Sequence, residues 1–74
     1  MKIERPLDML NQNKGKDVLV NLKNGKQYSG QLMAFDLNIN LVVDNVSELE
    51  DNEIKKKLGL VFFRGDGIVY VSPA

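Results

Sequence analysis

A hairpin pattern between residues 17 and 34 constrains this chain more than any other feature. Apolar residues occupy every second position on both sides of an Asn24-Gly25 pair, as is typical of strands with one buried face. Asn-Gly favours a tight hairpin turn, because both residues tolerate a positive φ. Gly30 lies in the middle of the second strand, where we expect a bend, a bulge or a close backbone approach. A bent second strand allows a small barrel to close.

The other segments predict a helix and three more strands. Pro6 suits the first position of a helix, and Asp8 complements the helix dipole, so we predict a helix over about residues 6–13. The strands are predicted at about residues 17–23, 26–35, 41–46, 58–63 and 68–71. The polar stretch 47–57 is predicted to be a solvated hairpin tip, and residues 64–67 a tight turn. We therefore expect residues 1–74 to form one domain, an all-β fold with a short N-terminal helix and a strongly bent, five-stranded antiparallel open barrel.

The length of the chain favours self-association. A domain of 74 residues buries only about 60% of the surface that its unfolded chain exposes. The sequence has no cysteine, which excludes disulfides as a source of extra stability. The apolar runs Leu60–Phe63 and Ile68–Val71 show little alternation, which predicts strands buried on both faces. Pairing of these two strands between subunits would cover their free edges.

The composition also excludes several classes of function. Without histidine or cysteine the chain cannot form a Ser-His or Cys-His nucleophile pair, so we do not expect an enzyme. We expect no metal site and no cofactor, since thiolate and imidazole ligands are missing. The longest apolar run is far below the roughly 20 residues of a membrane span, and no signal peptide is visible. The cytoplasm is the expected location.

Two loops concentrate polar residues between apolar strands: Asp36–Asn40 and Arg64–Gly67. Asn, Asp and Gly are also common turn formers, so each loop alone is open to a structural or a functional interpretation. The formal net charge of the chain is zero, whereas proteins that bind nucleic acid through phosphate contacts are usually basic. If this chain binds nucleic acid, contacts with the bases must therefore contribute most.

The two loops and their flanking strands together resemble the Sm/LSm family, and the archaeal Sm-like proteins in particular. The similarity extends from Arg5 to Pro73. The residues that match the first family motif are Val18-Leu19-Val20-Asn21-Leu22, Gly25, Gly30, Asp36, Asn40 and Leu41. The second motif is matched by Phe63-Arg64-Gly65-Asp66.

The resemblance implies a ring of about seven subunits, joined by the fourth and fifth strands, that binds U-rich single-stranded RNA at its pore. It implies an RNA-binding site formed by Asn38, Asn40, Arg64, Gly65 and Asp66. Asn40 would read the base, Arg64 would stack on it, and Asp66 would steady the asparagine. The amide of Asn40 has the donor and the acceptor that the edge of uracil requires.

The remaining implied positions are structural or differ from the family. Gly25, Gly30 and Asp36 are expected to shape turns and bends. Asn38 stands where archaeal relatives commonly carry histidine, and an amide stacks less well than an imidazole. Some members of the family imply a second RNA contact on the helix face, which would here involve Arg5, Asp8 and Phe35, although packing is the favoured interpretation for Phe35.

Three functional hypotheses follow. The main one is a non-catalytic ring that scaffolds or chaperones U-rich RNA in processing and turnover, with partner proteins in that pathway. The alternative is a protein-interaction scaffold ring with little RNA selectivity. An enzyme that uses Asp36 and Asp66 is a distant third, because no activated nucleophile accompanies these carboxylates.

Overall fold

The protein folds into one short helix and one antiparallel sheet. The computed structural model describes residues 2–74. Its elements are α1 (Pro6–Asn13), β1 (Asp17–Leu22), β2 (Gln27–Phe35), β3 (Leu41–Glu50), β4 (Glu53–Phe63) and β5 (Ile68–Pro73), with a 3-10 turn at Gly65–Gly67 before β5. The strands are ordered β4-β3-β2-β1-β5. The predicted fold class, a helix followed by a bent and unclosed five-stranded sheet, is confirmed.

The sheet bends at Gly30, as the sequence predicts. The β2–β3 pairing shifts register between Ser29 and Gln31. A Cβ atom at Gly30 would lie 2.7 Å from the carbonyl oxygen of Asp44 and 2.7 Å from a side-chain carbon of Val43. The two strands therefore approach too closely for any larger residue, and this approach lets the sheet curl around its core.

Nine residues form the hydrophobic core inside the bend. They are Leu10, Val18, Val20, Tyr28, Leu32, Leu41, Val43, Val46 and Phe63. Helix α1 contributes Leu10 to this core, while Leu7 and Met9 pack against it. Asp8 accepts a 3.0 Å hydrogen bond from the backbone N–H of Arg5 and fixes the start of the helix. An eight-residue helix is too short to be stable alone, so its docking on the core holds it in place.

The predicted lengths of the third and fourth strands are wrong. Residues 47–57, which we call the hairpin arm, continue strands β3 and β4 to a turn at Asp51-Asn52 and do not form a loop. Polar residues occupy both faces of the arm, so the sequence shows no alternation to predict strands. Backbone pairing holds the arm, with β2 extending along β3 as far as the partners Gln27 and Leu49. An ion pair of 3.0 Å between Lys55 and Glu50 also joins its strands.

The ends of the sheet are two apolar strands. Because β4 and β5 are the outer strands, each has one edge without a partner within residues 2–74. On β4, Leu60 and Phe62 are 67% and 62% exposed, while Phe63 points into the core. On β5, Val69 and Tyr70 are 62% and 50% exposed. The single chain therefore buries only one face of these strands, and the predicted burial of both faces does not occur within it.

Candidate nucleic-acid interface

The first half of the candidate site is the loop between β2 and β3, residues 36–40, which folds around Asp36. One carboxylate oxygen of Asp36 accepts the backbone N–H groups of Asn38 at 2.9 Å and of Asn40 at 3.1 Å. The other oxygen accepts the side-chain amide of Asn40 at 3.0 Å. Asp36 therefore fixes both the turn and the direction of one side chain, as aspartate often does in tight turns.

These hydrogen bonds change the acidity of Asp36. The amide of Asn40, followed by the backbone N–H groups of Asn40 and Asn38, holds the pKa of the Asp36 carboxyl below its usual value, and partial desolvation opposes this effect. Hydrogen bonds to the ionised form lower a carboxyl pKa. Asp36 is therefore ionised, and acts only as an acceptor, at neutral pH.

Ile39 shows that the core also shapes this loop. Its φ is 60°, which is unusual for a β-branched residue and costs roughly 1–3 kcal/mol. The Ile39 side chain packs against the hydrophobic core. Burial of this side chain offsets the strain and holds its neighbours Asn38 and Asn40 at the surface. The sequence did not predict this conformation.

The second half of the site is the turn between β4 and β5, residues 64–67. Its Gly65 N–H donates a 2.8 Å hydrogen bond to the side-chain oxygen of Asn40, 25 positions away. A Cβ atom at Gly65 would collide with the backbone oxygen of Asn38 and lie 3.0 Å from Ile39. Gly65 thus lets the two loops touch.

The Asn40 amide is held in one orientation by these contacts. Its oxygen faces an N–H donor on Gly65, and its nitrogen faces a carboxylate acceptor on Asp36. A flipped amide would place oxygen against oxygen and N–H against N–H. Because an amide has two N–H groups and an oxygen with two lone pairs, Asn40 keeps one donor and one acceptor for a ligand.

Asp66 contacts Arg64 and not Asn40, the partner that the family resemblance implies. Its carboxylate accepts a 3.1 Å hydrogen bond from the Arg64 guanidinium, whereas Asn40 is steadied by Asp36 and Gly65. The Arg64 and Asp66 side chains are 77% and 69% exposed, so their ion pair contributes little to stability. Its effect is to restrict where the exposed guanidinium can lie.

All five predicted RNA-binding residues line one open pocket. Its volume is about 460 Å³, and its lining residues are Asn38, Asn40, Arg64, Gly65 and Asp66. The sequence therefore predicted which residues come together, although not their hydrogen bonds. The sequence signal for the role of Asp36 is the Asp36-x-Asn38-x-Asn40 pattern, in which a carboxylate precedes two amides at a spacing of two residues.

The other candidate positions lie outside the pocket. Gly25 has a φ of 86° in the β1–β2 turn, where the side chain of Asn24 accepts the N–H of Lys26 at 3.0 Å. On the helix face, Arg5 forms a 3.1 Å ion pair with Asp8, and Phe35 packs against the core.

Within residues 2–74, no cluster of three acidic or metal-binding side chains is placed to hold a metal ion. In the same part of the chain, no helix is long and apolar enough to span a membrane.

This fold and this pair of loops define an Sm-type protein: a helix-capped, bent five-stranded sheet with a polar pocket between its β2–β3 and β4–β5 connections. The LSM domain family matches residues 8–73. The chain belongs to this family.

Individual relatives agree with this assignment along their whole length. The chain is 48% identical over 69 residues to an snRNP Sm-like protein of Methanococcoides burtonii, covering 93% of this chain and 96% of the relative. The Sm protein of Pyrococcus abyssi, solved in complex with a uridine heptamer, has a TM-score of 0.90 and 38% identity, covering 96% of this chain and 100% of that one. The SmAP1 heptamer of P. aerophilum has a TM-score of 0.89 at 29% identity, covering 99% of this chain and 97% of that one.

Proposed function

We propose that this chain is a non-catalytic RNA-binding protein that prefers U-rich single strands and forms a ring that scaffolds or chaperones RNA in processing and turnover. Membership of the LSM domain family supports this proposal, as does the complex of the 38% identical Pyrococcus abyssi protein with a uridine heptamer. The observation that carries it is the Asn40 amide, which is held between two loops with one donor and one acceptor free. The cytoplasm is the compartment that we propose.

The pocket can bind uracil through its edge and through its face. The carbonyl at O4 and the N–H at N3 lie side by side on the base edge, and the free N–H and lone pair of Asn40 match them. The exposed Arg64 guanidinium is planar and can stack on the face of the base, a contact worth roughly 1–3 kcal/mol. Asn38 would lie against the opposite face, while Asp66 restrains the arginine.

The edges of the sheet support ring assembly. Strand β4 ends the sheet on one side and β5 ends it on the other, and exposed edges of this kind readily pair with another chain. Pairing of β4 with β5 of the next subunit uses two different surfaces, so repetition generates a closed ring when the rotation allows it. Because the similar P. aerophilum protein is a heptamer, we infer a heptameric ring with up to seven equivalent pockets.

A ring binds an RNA strand more tightly than any single pocket binds one base. Once one uridine is bound, the next along the strand faces a neighbouring pocket at high effective concentration, so several weak contacts combine. This avidity compensates for the zero net charge of the chain, which gives it little general attraction for phosphates.

Native mass spectrometry tests the proposal directly. The protein is mixed with equal amounts of oligo-U and oligo-A, and we expect a heptamer that carries oligo-U alone. A ring that carries neither RNA, or both equally, would contradict the proposed selectivity and favour a protein-interaction scaffold. A monomer would contradict assembly through β4 and β5.

A pair of arginine variants locates the binding site. We expect Arg64→Ala to lose oligo-U while the ring persists. Arg5→Ala is the matched control, because Arg5 is equally exposed and is also paired with an aspartate. Equal loss of binding in both variants would contradict the assignment to the pocket and indicate a contact on the helix face.

A further inference from the structure

The free hydrogen-bonding groups of Asn40 define a pattern that is broader than uracil. Its side-chain oxygen already accepts the Gly65 N–H at 2.8 Å, and its nitrogen already donates to Asp36 at 3.0 Å. An amide nitrogen has two N–H groups and its oxygen two lone pairs, so one N–H and one lone pair of the same planar amide remain. This pair is complementary to any ligand edge on which a carbonyl lies next to a ring N–H.

Three bases carry such an edge: uracil, guanine and hypoxanthine, the base of inosine. Uracil presents a carbonyl beside the N3–H, whereas guanine and hypoxanthine present the carbonyl at C6 beside the N1–H. Cytosine and adenine have the opposite pattern, an amino group beside an unprotonated ring nitrogen. An asparagine that was free to rotate could read either pattern by exchanging its oxygen and nitrogen.

The pocket prevents that exchange. Rotation of the Asn40 amide would set its oxygen against the Asp36 carboxylate and its N–H groups against the Gly65 N–H. Asp36 stays ionised at neutral pH because hydrogen bonds lower its pKa, so it cannot donate a proton to a rotated amide. Rotation would thus replace two hydrogen bonds with two repulsive contacts, which opposes the exchange.

The shape of the pocket does not restrict the ligand to a single ring. Its volume of about 460 Å³ is open to solvent, and its five lining residues belong to only two loops. Arg64 is 77% exposed, and stacking on a guanidinium or aromatic plane accepts every base because every base has a π-face. A purine can therefore extend its second ring outward.

We propose that the pocket selects bases by their adjacent carbonyl and N–H, so that it binds guanine and hypoxanthine as well as uracil and rejects cytosine and adenine. This inference rests on the proposed function, because it assigns the ligand range of the same pocket. It predicts that the RNA targets are rich in U and G. A uridine run that is interrupted by G should still bind, whereas a run interrupted by C or A should not.

Heptamers of the form UXUXUXU test the ligand range. The four strands with X as hypoxanthine, guanine, cytosine or adenine, together with U7, are labelled with fluorescein, and their affinities are measured by anisotropy at one fixed salt concentration. Alternation with uridine avoids the four-stranded structures of guanine runs. We expect the hypoxanthine and guanine strands to bind within about fivefold of U7, and the cytosine and adenine strands at least about 100-fold more weakly, since a mismatched bidentate contact costs roughly 1–3 kcal/mol at each of three bases.

The same series separates the two proposals. If U7 itself does not bind, the proposed function fails. If U7 binds and the hypoxanthine strand is as weak as the adenine strand, the function stands and the broader ligand range is overturned. A cytosine strand as strong as U7 would show that the Asn40 amide rotates, which also overturns the inference.

Two aspartate variants test the cause of the selectivity. In Asp36→Asn the new side chain can donate to a rotated Asn40, so we expect the preference for the hypoxanthine strand over the cytosine strand to fall to below about tenfold. Asp66→Asn is the matched control, because Asp66 contacts Arg64 and not Asn40; affinity for all strands should fall together with the preference unchanged. If Asp36→Asn rings keep the same preference for the hypoxanthine strand over the cytosine strand, Asp36 does not hold the orientation of the Asn40 amide. If that variant does not fold, the strand series with the unmodified protein still tests the ligand range.

Discussion

The β2–β3 loop and the tip of the hairpin arm reverse the chain with the same residue types, yet only the loop contributes to the proposed site. Both contain aspartate and asparagine, and both include non-glycine residues in the left-handed region: Ile39 in the loop, with a φ of 60°, and Asp51 and Asn52 at the tip, with φ values of 53° and 66°. Local turn chemistry is therefore similar in the two places.

The difference lies in the contacts beyond the turn. In the loop, the Asn40 side chain bonds to Asp36 and to Gly65, which belongs to a distant segment. Within residues 2–74, no hydrogen bond joins the side chain of Asp51 or Asn52 to another residue. A polar turn becomes a binding site when its side chains are fixed from outside the turn, because fixed groups lose little entropy when they meet a ligand.

The largest expected effect comes from separating the two loops. In Gly65→Ala the new Cβ collides with the backbone of Asn38, so we expect oligo-U affinity to fall at least about 100-fold and stability to fall by about 1–3 kcal/mol. Gly67→Ala, in the same turn, meets no atom within 4 Å and should retain binding. Anisotropy titration and urea unfolding measure both effects, and similar losses in the two variants would contradict the role of the close approach.

Removal of the Asn40 amide should weaken oligo-U binding at least as strongly, but the ring should persist, so its total effect on the protein ranks second. We expect Asn40→Ala to lose roughly 1–3 kcal/mol for each bound base, which abolishes oligo-U binding in a titration while native mass spectrometry still detects the ring. Asn52→Gly removes an amide from the tip of the hairpin arm in a conformation that glycine accepts, and should leave binding unchanged. Dissociation of the ring in Asn40→Ala would instead make this residue structural.

The pH dependence of binding should show a smaller effect that is confined to acid. The pKa of Asp36 is lowered in the folded protein. Its contribution to the stability of the folded loop is therefore fully present above the unfolded pKa of about 4, and is lost as the pH falls through the lower folded value. The chain has no histidine, so no imidazole titrates between pH 5 and 8. We expect oligo-U affinity, followed by anisotropy, to be constant from pH 5 to 8 and to fall below pH 4. A transition near pH 6 would contradict this.

The smallest effect is expected in the hairpin arm. Lys55 and Glu50 form a 3.0 Å ion pair, and hydrogen bonding to Glu50 raises the pKa of Lys55. Because both side chains are well exposed, solvent screens their attraction. Lys55→Gln should therefore change neither oligo-U affinity nor the thermal unfolding midpoint measurably. A clear loss of RNA binding would show that the arm contacts RNA, and the contrast between the two turns would no longer hold.

The parts of the fold that bury apolar residues could be predicted from the sequence. The alternation of Val18, Val20 and Leu22 defines β1, the Asn24-Gly25 pair defines its turn, and Gly30 marks the bend. In each case one residue type is required by a steric or hydrophobic constraint. The hairpin arm was missed because its strands have solvent on both sides, so backbone pairing and cross-strand charges hold it without leaving a periodic pattern.

For the candidate site, the sequence predicted the residues but not their connections. Asn40, Arg64 and Gly65 do meet. The choice between Asp36 and Asp66 as the partner of Asn40 depends on distances between two loops, which spacing along the chain does not encode. The left-handed Ile39 packs its partly buried side chain against the core, and this tertiary contact offsets the local preference of a β-branched residue.

Strand β1 pairs with β5 across the greatest sequence separation in the sheet, with Val20 and Val71 as partners 51 positions apart. The other pairings join consecutive strands, and such local hairpins form faster than contacts that close a long loop. Docking of β5 is therefore expected to be the late step of folding. Leu41 already pairs with Phe63 in the β3–β4 hairpin, so Gly65 can approach Asn40 before β5 docks. Docking of β5 then completes the outer strand at which we propose that subunits pair, so a subunit without this step lacks one of its two proposed assembly edges. Under the proposed assembly, only subunits that have completed this last folding step can join a ring.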